Sequence, residues 1–289
     1  MQIYAQQDAI LTRYSNNPLF FNPAYAGSKG DGNIQITGYH RDQWLGLEGS
    51  PKTTMLGANA NLFDDKVGLG LTVANETIGV DSRLDFQSNY AYRILLGDAY
   101  FVGGLRVGFH RNSSALSEIR FSDQVDAVFD SGDISYNALT IGLGAYYYTQ
   151  QYFVGFSVPA IEQITSEFGT DRSRHYYLHT GAIFKAEYSD MQLEPTIMLK
   201  YEQAAPLQFT FGANLWLIDG FAVGAHYRSS DSFGLSSEFV LGKLVNIGAS
   251  YDIPLSDLRT ETIGSIEVFV DYIFNFKREE IPMSRRKGF

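Results

Sequence analysis

The sequence predicts an all-β protein, a transmembrane antiparallel β-barrel of about fourteen strands with both termini on the periplasmic side. Apolar and polar residues alternate along most of the chain. The alternating segments are long enough to cross a bilayer, and short and long connections follow each other in turn. No window approaches about 18 consecutive apolar residues, the length expected of a membrane-spanning helix.

The segment 207–218 shows the alternation most clearly. Every second residue from Leu207 to Leu217 is apolar, while the intervening positions, such as Thr210 and Asn214, are mostly polar or small. Residues two apart lie on one face of a strand, so the segment has an apolar face and a polar face. The segments 83–95, 99–110, 191–201 and 262–276 follow the same scheme.

The predicted strands have ends that are good to about 2–4 residues. They lie near 33–42, 53–62, 67–76, 83–95, 99–110, 135–149, 152–158, 174–188, 191–201, 207–217, 221–228, 232–241, 244–253 and 262–276. Most span about 8–14 residues, close to the 9–11 residues that a tilted strand needs to cross a membrane. Strands of soluble proteins are shorter, typically about 5–6 residues.

The connections differ systematically in length. Those after even-numbered strands are tight, and glycine in Gly97-Asp98 and Asp219-Gly220 can supply the positive φ of a short turn. Those after odd-numbered strands are mostly longer and more polar, notably 43–52, 111–134, 159–173 and 254–261. Short periplasmic turns and long external loops are typical of outer-membrane barrels.

The composition excludes several other classes of protein. The 289 residues are 45% hydrophobic and 19% charged, too apolar for a disordered chain. The absence of cysteine removes disulfides, thiolate metal sites and cysteine nucleophiles. The net charge of −10 argues against a nucleic-acid partner held through phosphates. A soluble sandwich or propeller also alternates, but strand length, loop asymmetry and low charge favour the membrane barrel.

The barrel prediction assigns roles to the side chains on both faces. Tyrosines at strand ends should form aromatic girdles at the headgroups: Tyr90, Tyr92, Tyr146, Tyr147, Tyr148, Tyr176, Tyr177 and Tyr272. Strand glycines should leave room for bulky neighbours inside the barrel: Gly68, Gly70, Gly142 and Gly144. Ions facing the lumen can pair across the interior, which would pack the bore as readily as line a conduit: Asp85, Arg93, Arg106, Glu194, Lys200 and Glu238.

The segment before the first strand differs from the rest of the chain. We expect residues 1–5 to be the end of a cleaved signal peptide and residues 6–32 to form a separate segment. Two Asn-Pro steps disfavour a helix or a central strand there. Its apolar side chains predict a partial plug in the periplasmic mouth. An arm along the rim, or a segment ordered only by a partner, is the alternative. The plug residues are Asn22, Pro23, Tyr25 and Gly27.

Three further features are candidates for contact with partners. Arg41, Asp42 and Trp44 end the first strand, where they fit structural anchoring at the membrane boundary or a protein interface. The longest external loop is acidic and fits a solvated surface, a partner or a loosely held divalent cation; its candidate residues are Glu118, Asp123, Asp126 and Asp130. The basic tail 277–289 fits a periplasmic partner, anionic headgroups or a solvated end.

The chain lacks the common catalytic motifs. No Gly-x-Ser-x-Gly, His-Glu-x-x-His or phosphate-binding glycine loop occurs. His175 and His179 share a strand face, but at about 3.3 Å per residue they lie about 13 Å apart, too far to bind one metal ion. We therefore predict no enzyme, no cofactor and no metal site. A Ser–His–acid site assembled across strands is a minor alternative.

Four short runs in the first third of the chain resemble the PorP/SprF family. They are Asn22-Pro-Ala-Tyr-Ala-Gly27, Arg41-Asp-Gln-Trp-Leu-Gly-Leu-Glu-Gly-Ser-Pro-Lys-Thr53, Lys66-Val-Gly-Leu-Gly70 and Tyr90-Ala-Tyr-Arg93. The order and spacing of four runs are more specific than any single one. Members of this family are outer-membrane β-barrels of the type IX secretion and gliding-motility machinery.

The resemblance implies a non-enzymatic barrel that docks or anchors a secreted, adhesin-like surface protein through a type B C-terminal sorting domain. It also implies contact with periplasmic components of the secretion system, including a peptidoglycan-binding lipoprotein, and with outer-membrane lipid or lipopolysaccharide. The cargo itself does not follow from the resemblance. An outer-membrane porin or ligand transporter that allows passive diffusion is the alternative function.

Overall fold

The protein is a closed antiparallel β-barrel. The computed structural model describes residues 11–28, 33–63, 65–118, 133–165, 174–189, 191–203, 205–218, 220–242 and 244–275. The strands are β1 Asn33–Asp42, β2 Lys52–Leu62, β3 Val67–Ile78, β4 Asp81–Leu96, β5 Ala99–Ser114, β6 Ile134–Tyr148, β7 Tyr152–Thr165, β8 His175–Ala182, β9 Phe184–Lys185, β10 Gln192–Glu202, β11 Gln208–Ile218, β12 Phe221–Arg228, β13 Ser232–Leu241, β14 Val245–Pro254 and β15 Ser265–Asn275. Short 3-10 turns occupy Pro18–Phe20, Pro23–Tyr25, Leu116–Glu118 and Asp257–Thr260.

Consecutive strands pair around the barrel, which closes through two further contacts. β1 pairs with β15 from Asn33↔Asn275 to Asp42↔Ile266, and β10 pairs with β11. The two-residue β9 continues β8, and both pair with β10, so the described segments fill fourteen positions around the barrel. The fourteen-strand prediction is confirmed.

Two strands differ from their predicted bounds. The sequence predicts that β7 ends near residue 158. Instead it runs on to Thr165 past a register shift opposite Gly142, where a Cβ would lie 2.1 Å from the carbonyl oxygen of Pro159. The predicted single strand 174–188 is interrupted at the buried Ile183, whose N–H donates to the carbonyl of Gln151 (2.7 Å).

The two ends of the barrel carry different connections. We call the end where β1 begins the short-turn rim and the end where β1 finishes the long-loop rim. Gly97 and Gly220 have φ of 62° and 86° in tight turns at the short-turn rim, as predicted. At the long-loop rim, the loop after β1 bonds to the loop before β15, with the N–H of Leu45 donating to the carbonyl of Gly264 (2.7 Å).

The apolar face of each strand points outward and the polar face points inward. Leu71 is 60% exposed and Val107 is 52% exposed, whereas the neighbouring Arg106 is 2% exposed. A soluble sandwich would bury the apolar side, so this arrangement requires hydrocarbon around the barrel. The predicted alternation is confirmed. Among the described residues, no helix is both long and apolar enough to cross a bilayer.

The girdle assignment is correct for some tyrosines and wrong for others. Tyr90, Tyr92, Tyr147 and Tyr272 are exposed on the outer face. Tyr146 and Tyr177 are buried and face the lumen, as does the neighbouring Tyr148, so their assignment to a girdle is wrong. Three consecutive tyrosines cannot all face lipid, because successive side chains of a strand point to opposite faces.

The outward position of Val107 gives a testable consequence. Val107→Arg places a charge near the middle of the apolar band, so we expect the free energy of unfolding in lipid vesicles to fall by about 2–4 kcal/mol. Urea titration of the refolded barrel measures this change. Ser113→Arg is the matched control near the long-loop rim of the same strand and face, where a loss of about 0–1 kcal/mol is expected. Equal losses in the two variants would contradict the membrane orientation.

Candidate functional site

The described part of the segment before β1, residues 11–28, lies inside the barrel. We call it the lumen strap. Thr12 contacts Arg41, which is near the long-loop end of β1. The carbonyl of Gly27 accepts a hydrogen bond from Arg93 (2.9 Å), which is near the short-turn end of β4. The strap therefore runs lengthwise through the lumen, whereas the sequence predicted only an entry into one mouth. The assignment of the short-turn rim to the periplasm remains a prediction.

A buried cluster holds the end of the strap nearer the long-loop rim. It lies at the seam between the first and last strands. Glu267 on β15 accepts hydrogen bonds from the backbone N–H groups of Thr12 (2.8 Å) and Arg13 (2.6 Å). Arg41 on β1 bridges Glu267 and Asp252, each at 2.8 Å. Glu267 is 0% exposed, and both of its carboxylate oxygens accept hydrogen bonds inside the protein. We call Thr12, Arg41, Asp252 and Glu267 the seam clamp.

The three residues of the Arg41 motif do not act together. Arg41 points inward to the seam clamp, whereas Asp42 points outward and lies 3.3 Å from His40. Trp44 is partly exposed at the long-loop rim, has a positive φ of 48°, and donates its backbone N–H to the side chain of Ser265 (3.1 Å). Arg41 thus makes anchoring contacts, while contact of Asp42 or Trp44 with a partner remains a prediction.

The side chains of Arg13 and Tyr14, next to the seam clamp, bind the acidic wall of the lumen. The Arg13 guanidinium donates to Asn214 (3.1 Å) and Ser236 (2.8 Å) and forms an ion pair with Glu238. The hydroxyl of Tyr14 bonds to Thr196 (2.8 Å). The inward acids of this wall are Glu194, Glu202, Glu238, Asp252, Glu267 and Asp271.

The second half of the strap, toward the short-turn rim, binds arginines through its carbonyl groups. These arginines lie on β4 and β5, across the lumen from the acidic wall. Arg106 donates to the carbonyls of Leu19 and Phe20 (2.7 Å to Phe20) and to the side chain of Asn89 (2.7 Å). The Asn-Pro steps form 3-10 turns rather than strand, which leaves these carbonyls available. The predicted pairing of Arg93, Arg106 and Glu238 across the lumen is therefore replaced by contacts with the strap.

Glycines of the barrel wall make room for the strap. A Cβ at Gly68 would lie 2.0 Å from the carbonyl oxygen of Ala26, and one at Gly144 would lie 2.0 Å from Oδ1 of Asn22. A Cβ at Gly104 would lie 2.3 Å from the backbone nitrogen of Ala24. The predicted room for bulky neighbours is thus taken at Gly68 by the strap backbone and at Gly144 by the side chain of Asn22.

Stacked rings fill the space between the strap and strands β5 to β8. The ring of Tyr25 stacks on Tyr146 with centroids 4.1 Å apart, and Tyr146 stacks on Tyr148 at 5.0 Å. The hydroxyl of Tyr25 bonds to Nδ1 of His179 (3.2 Å). The predicted plug residues Asn22, Pro23 and Tyr25 are all buried here, with Asn22 also donating to the carbonyl of Ala145 (3.2 Å).

Several other predicted sites lie at the edge of the described chain. Glu118 ends a short 3-10 turn at the start of the acidic loop, while Asp123, Asp126 and Asp130 lie outside the described residues, as do residues 1–5 and the tail 277–289. Within the described ranges, no group of three or more His, Asp or Glu side chains could hold a metal ion.

Sequence reasoning missed Thr12, Arg13 and Glu267. Alternation on β15 could have placed Glu267 inward, but nothing local identifies its partners.

The fold and the polar lumen define an outer-membrane β-barrel. Similar solved structures are Omp33 of Acinetobacter baumannii (TM-score 0.52, 11% identity, 85% of this chain and 100% of that chain covered) and the toluene transporter TbuX of Ralstonia pickettii (TM-score 0.52, 9% identity, 92% and 94% covered). The monoaromatic hydrocarbon channel CymD is similar as well (TM-score 0.51, 11% identity, 94% and 95% covered). At these identities the likeness shows the fold alone.

The family is shown by the sequence itself. The model of the type IX secretion system membrane protein PorP/SprF matches residues 3–272. The chain belongs to the PorP/SprF family, which is a family of secretion membrane proteins and not an enzyme family, and it is an outer-membrane protein. No curated protein matches the chain.

The wall glycines that face the strap predict how the strap can be displaced. Gly144→Val places side-chain atoms on Asn22, at an overpacking cost of about 1–3 kcal/mol. We expect trypsin cleavage after the buried Arg13 to become about tenfold faster, measured by mass spectrometry of the shortened chain. Gly103→Val is the matched control, because nothing lies within 4 Å of a Cβ there. Unchanged resistance at Arg13 in the Gly144 variant would contradict the fit of the strap.

The seam clamp predicts a large loss of stability when its carboxylate is removed. Glu267→Ala leaves Arg41 without one of its two ion pairs and leaves two strap N–H groups unsatisfied, so we expect a loss of about 3–5 kcal/mol in the free energy of unfolding. Urea titration in phospholipid vesicles measures it. Glu267→Gln keeps an acceptor and should lose less. Wild-type stability of the alanine variant would show that the clamp does not support the fold.

Proposed function

We propose that this barrel docks or anchors a secreted surface protein at the outer membrane and links it to the type IX secretion and gliding machinery. The partner is an adhesin-like protein that carries a type B C-terminal sorting domain. The single observation that carries the proposal is membership of the PorP/SprF family, combined with a lumen that is crossed by a strap bonded along its length. A docking barrel needs a fixed surface and no open path.

The arrangement of the strap favours docking over diffusion. Passive transport requires a continuous aqueous path, and the strap places Tyr14, Phe21 and Tyr25 in contact with rings of the lumen wall, including His179. Two of the similar solved structures are described as a toluene transporter and a hydrocarbon channel. Their identities of 9% and 11% are too low to bring that function to this chain.

The remaining partners follow from the same proposal. In this proposal the long-loop rim faces the outside, and Trp44 and the acidic loop that begins near Glu118 are the parts that contact the cargo. In this proposal the periplasmic components, among them a peptidoglycan-binding lipoprotein, bind the short-turn rim and the basic tail 277–289. Outer-membrane lipid and lipopolysaccharide surround the apolar band. The chain works without catalysis, cofactor or metal.

Extraction in mild detergent tests the proposal directly. The tagged full chain should bring down a secreted protein with a C-terminal sorting domain, identified by mass spectrometry, and deletion of the gene should remove that protein from the cell surface. An unrelated outer-membrane barrel with the same tag is the control. Recovery of the barrel alone, with unchanged surface proteins in the deletion strain, would overturn docking.

Conductance separates the two candidate functions. In planar bilayers we expect the wild-type barrel to give no steady single-channel current, because the strap, bonded to the wall from Thr12 to Gly27, obstructs the lumen between the two rims. A strap released by Gly144→Val should give openings. Steady conductance of the wild type, together with the absence of a bound secreted protein, would support the porin or transporter instead.

A further inference from the structure

The inner wall formed by β10 to β15 carries carboxylates and amides near the short-turn rim. Gln192 and Glu194 lie at the start of β10, Asn246 lies at the start of β14, and Glu238 lies near the end of β13. The side chain of Gln192 donates a hydrogen bond to Glu194, and that of Asn246 donates one to Glu238. We call Gln192, Glu194, Glu238 and Asn246 the rim acceptors.

The two amides of this group are buried although they lie close to an end of the barrel. Gln192 is the first residue of β10 and is 1% exposed, and Asn246 is the second residue of β14 and is 4% exposed. At this rim, the strap residue Gly27 bonds to Asn59 (2.6 Å) on β2 and to Arg93 (2.9 Å) on β4. These strands lie across the lumen from β10 to β12, so this end of the strap does not account for the burial of the amides.

The buried amides have acceptor atoms that lack a donor. Oε1 of Gln192 and Oδ1 of Asn246 have no hydrogen-bond partner among the described residues. The orientation of each amide is fixed, because its NH2 group faces a carboxylate, which can only accept. Glu238 pairs with Arg13, whereas Glu194 has no ion-pair partner within the described ranges. Unpaired acceptors and carboxylates are costly inside a protein, so this wall favours a segment rich in positively charged donors.

We infer that the rim acceptors bind the basic tail 277–289 of the same chain, inside the short-turn mouth of the barrel. The tail follows the end of β15 at Asn275, which pairs with Asn33 at this rim. Lysine and arginine side chains are donors only, and they therefore match acceptors that lack donors. The tail has two acidic side chains, Glu279 and Glu280, and five basic ones: Lys277, Arg278, Arg285, Arg286 and Lys287.

The tail is long enough to reach this wall. Asn246 pairs in the ladder with Asp271, which precedes Asn275 by four residues, or about 13 Å along the strand. The ten residues from Asn275 to Arg285 can span up to about 33–36 Å. A tail that turns inward at the rim can therefore bring Arg285 to Asn246 and to Glu238 on the next strand.

This contact within one chain is independent of the secreted partner. It covers the side of the short-turn mouth that lies across the lumen from Gly27, so the strap and the tail together obstruct the barrel. A periplasmic component that binds the tail would use the same basic side chains as the wall. Binding of the tail to one of them therefore excludes binding to the other.

Engineered disulfides in the full chain test the position of the tail, because the native chain has no cysteine. Ala222 faces the lumen on β12 and pairs with Glu238 in the ladder, whereas the next residue, Val223, faces lipid. We expect Ala222→Cys with Ser284→Cys to form a disulfide within one chain on oxidation, identified by mass spectrometry of a band that runs as a monomer. Val223→Cys with Ser284→Cys is the matched control and should form none. A disulfide in both pairs, or in neither, would overturn the inference.

Neutralising the wall gives a second measurement. Glu194→Gln removes a carboxylate from the rim acceptors, so we expect trypsin to cleave the detergent-purified full chain after Arg285 about tenfold faster than in the wild type. Glu202→Gln is the matched control, because Glu202 lies on the same face of β10 near the long-loop rim, and it should leave this rate unchanged. Heat-modifiable migration on gels shows that each variant remains folded. Equal acceleration in both folded variants, or none in Glu194→Gln, would overturn the inference.

Discussion

The structure depends on one constraint, which is that hydrocarbon offers no partner for a backbone N–H or C=O group. A sheet in lipid must pair all of its edges, and here the first and last strands do so over ten residue pairs from Asn33↔Asn275 to Asp42↔Ile266. Closure fixes which face of every strand meets lipid. Leucines and phenylalanines that would form the core of a soluble protein lie outside, and arginines, carboxylates and amides lie inside.

The polar interior then needs partners of its own, because buried charges and amides are costly when unpaired. The strap meets this need with few side chains. Its cation, Arg13, faces the acidic wall at Glu238, while its carbonyls at Phe20 and Gly27 face Arg106 and Arg93 on the other wall. Glycine positions in the wall remove the side chains that would exclude its backbone. Charge and shape of the lumen therefore both match this one segment.

Local patterns in the sequence were sufficient to predict the strands and the tight turns. Alternation in 207–218 located β11, and glycine at position 220 located a turn with positive φ. The contact of Arg41 with Glu267 joins residues 226 positions apart and depends on how the barrel closes, which no local pattern encodes. The inward direction of Tyr146 was within reach of alternation. The seat of Asn22 against Gly144 required the path of the strap, which contains no regular strand or long helix from which a period could be recognised.

The seam clamp ties the strap to the closure of the barrel. Arg41 belongs to the first strand and Glu267 to the last, and both bind Thr12 of the strap. Because one carboxylate serves the strand seam and two strap N–H groups, seating the strap stabilises closure, and closure in turn stabilises the seated strap. Removing the strap would expose buried charges at the seam, at a cost of several kcal/mol. The strap is therefore an integral part of the barrel, bonded from Thr12 at the seam to Gly27 beside Arg93.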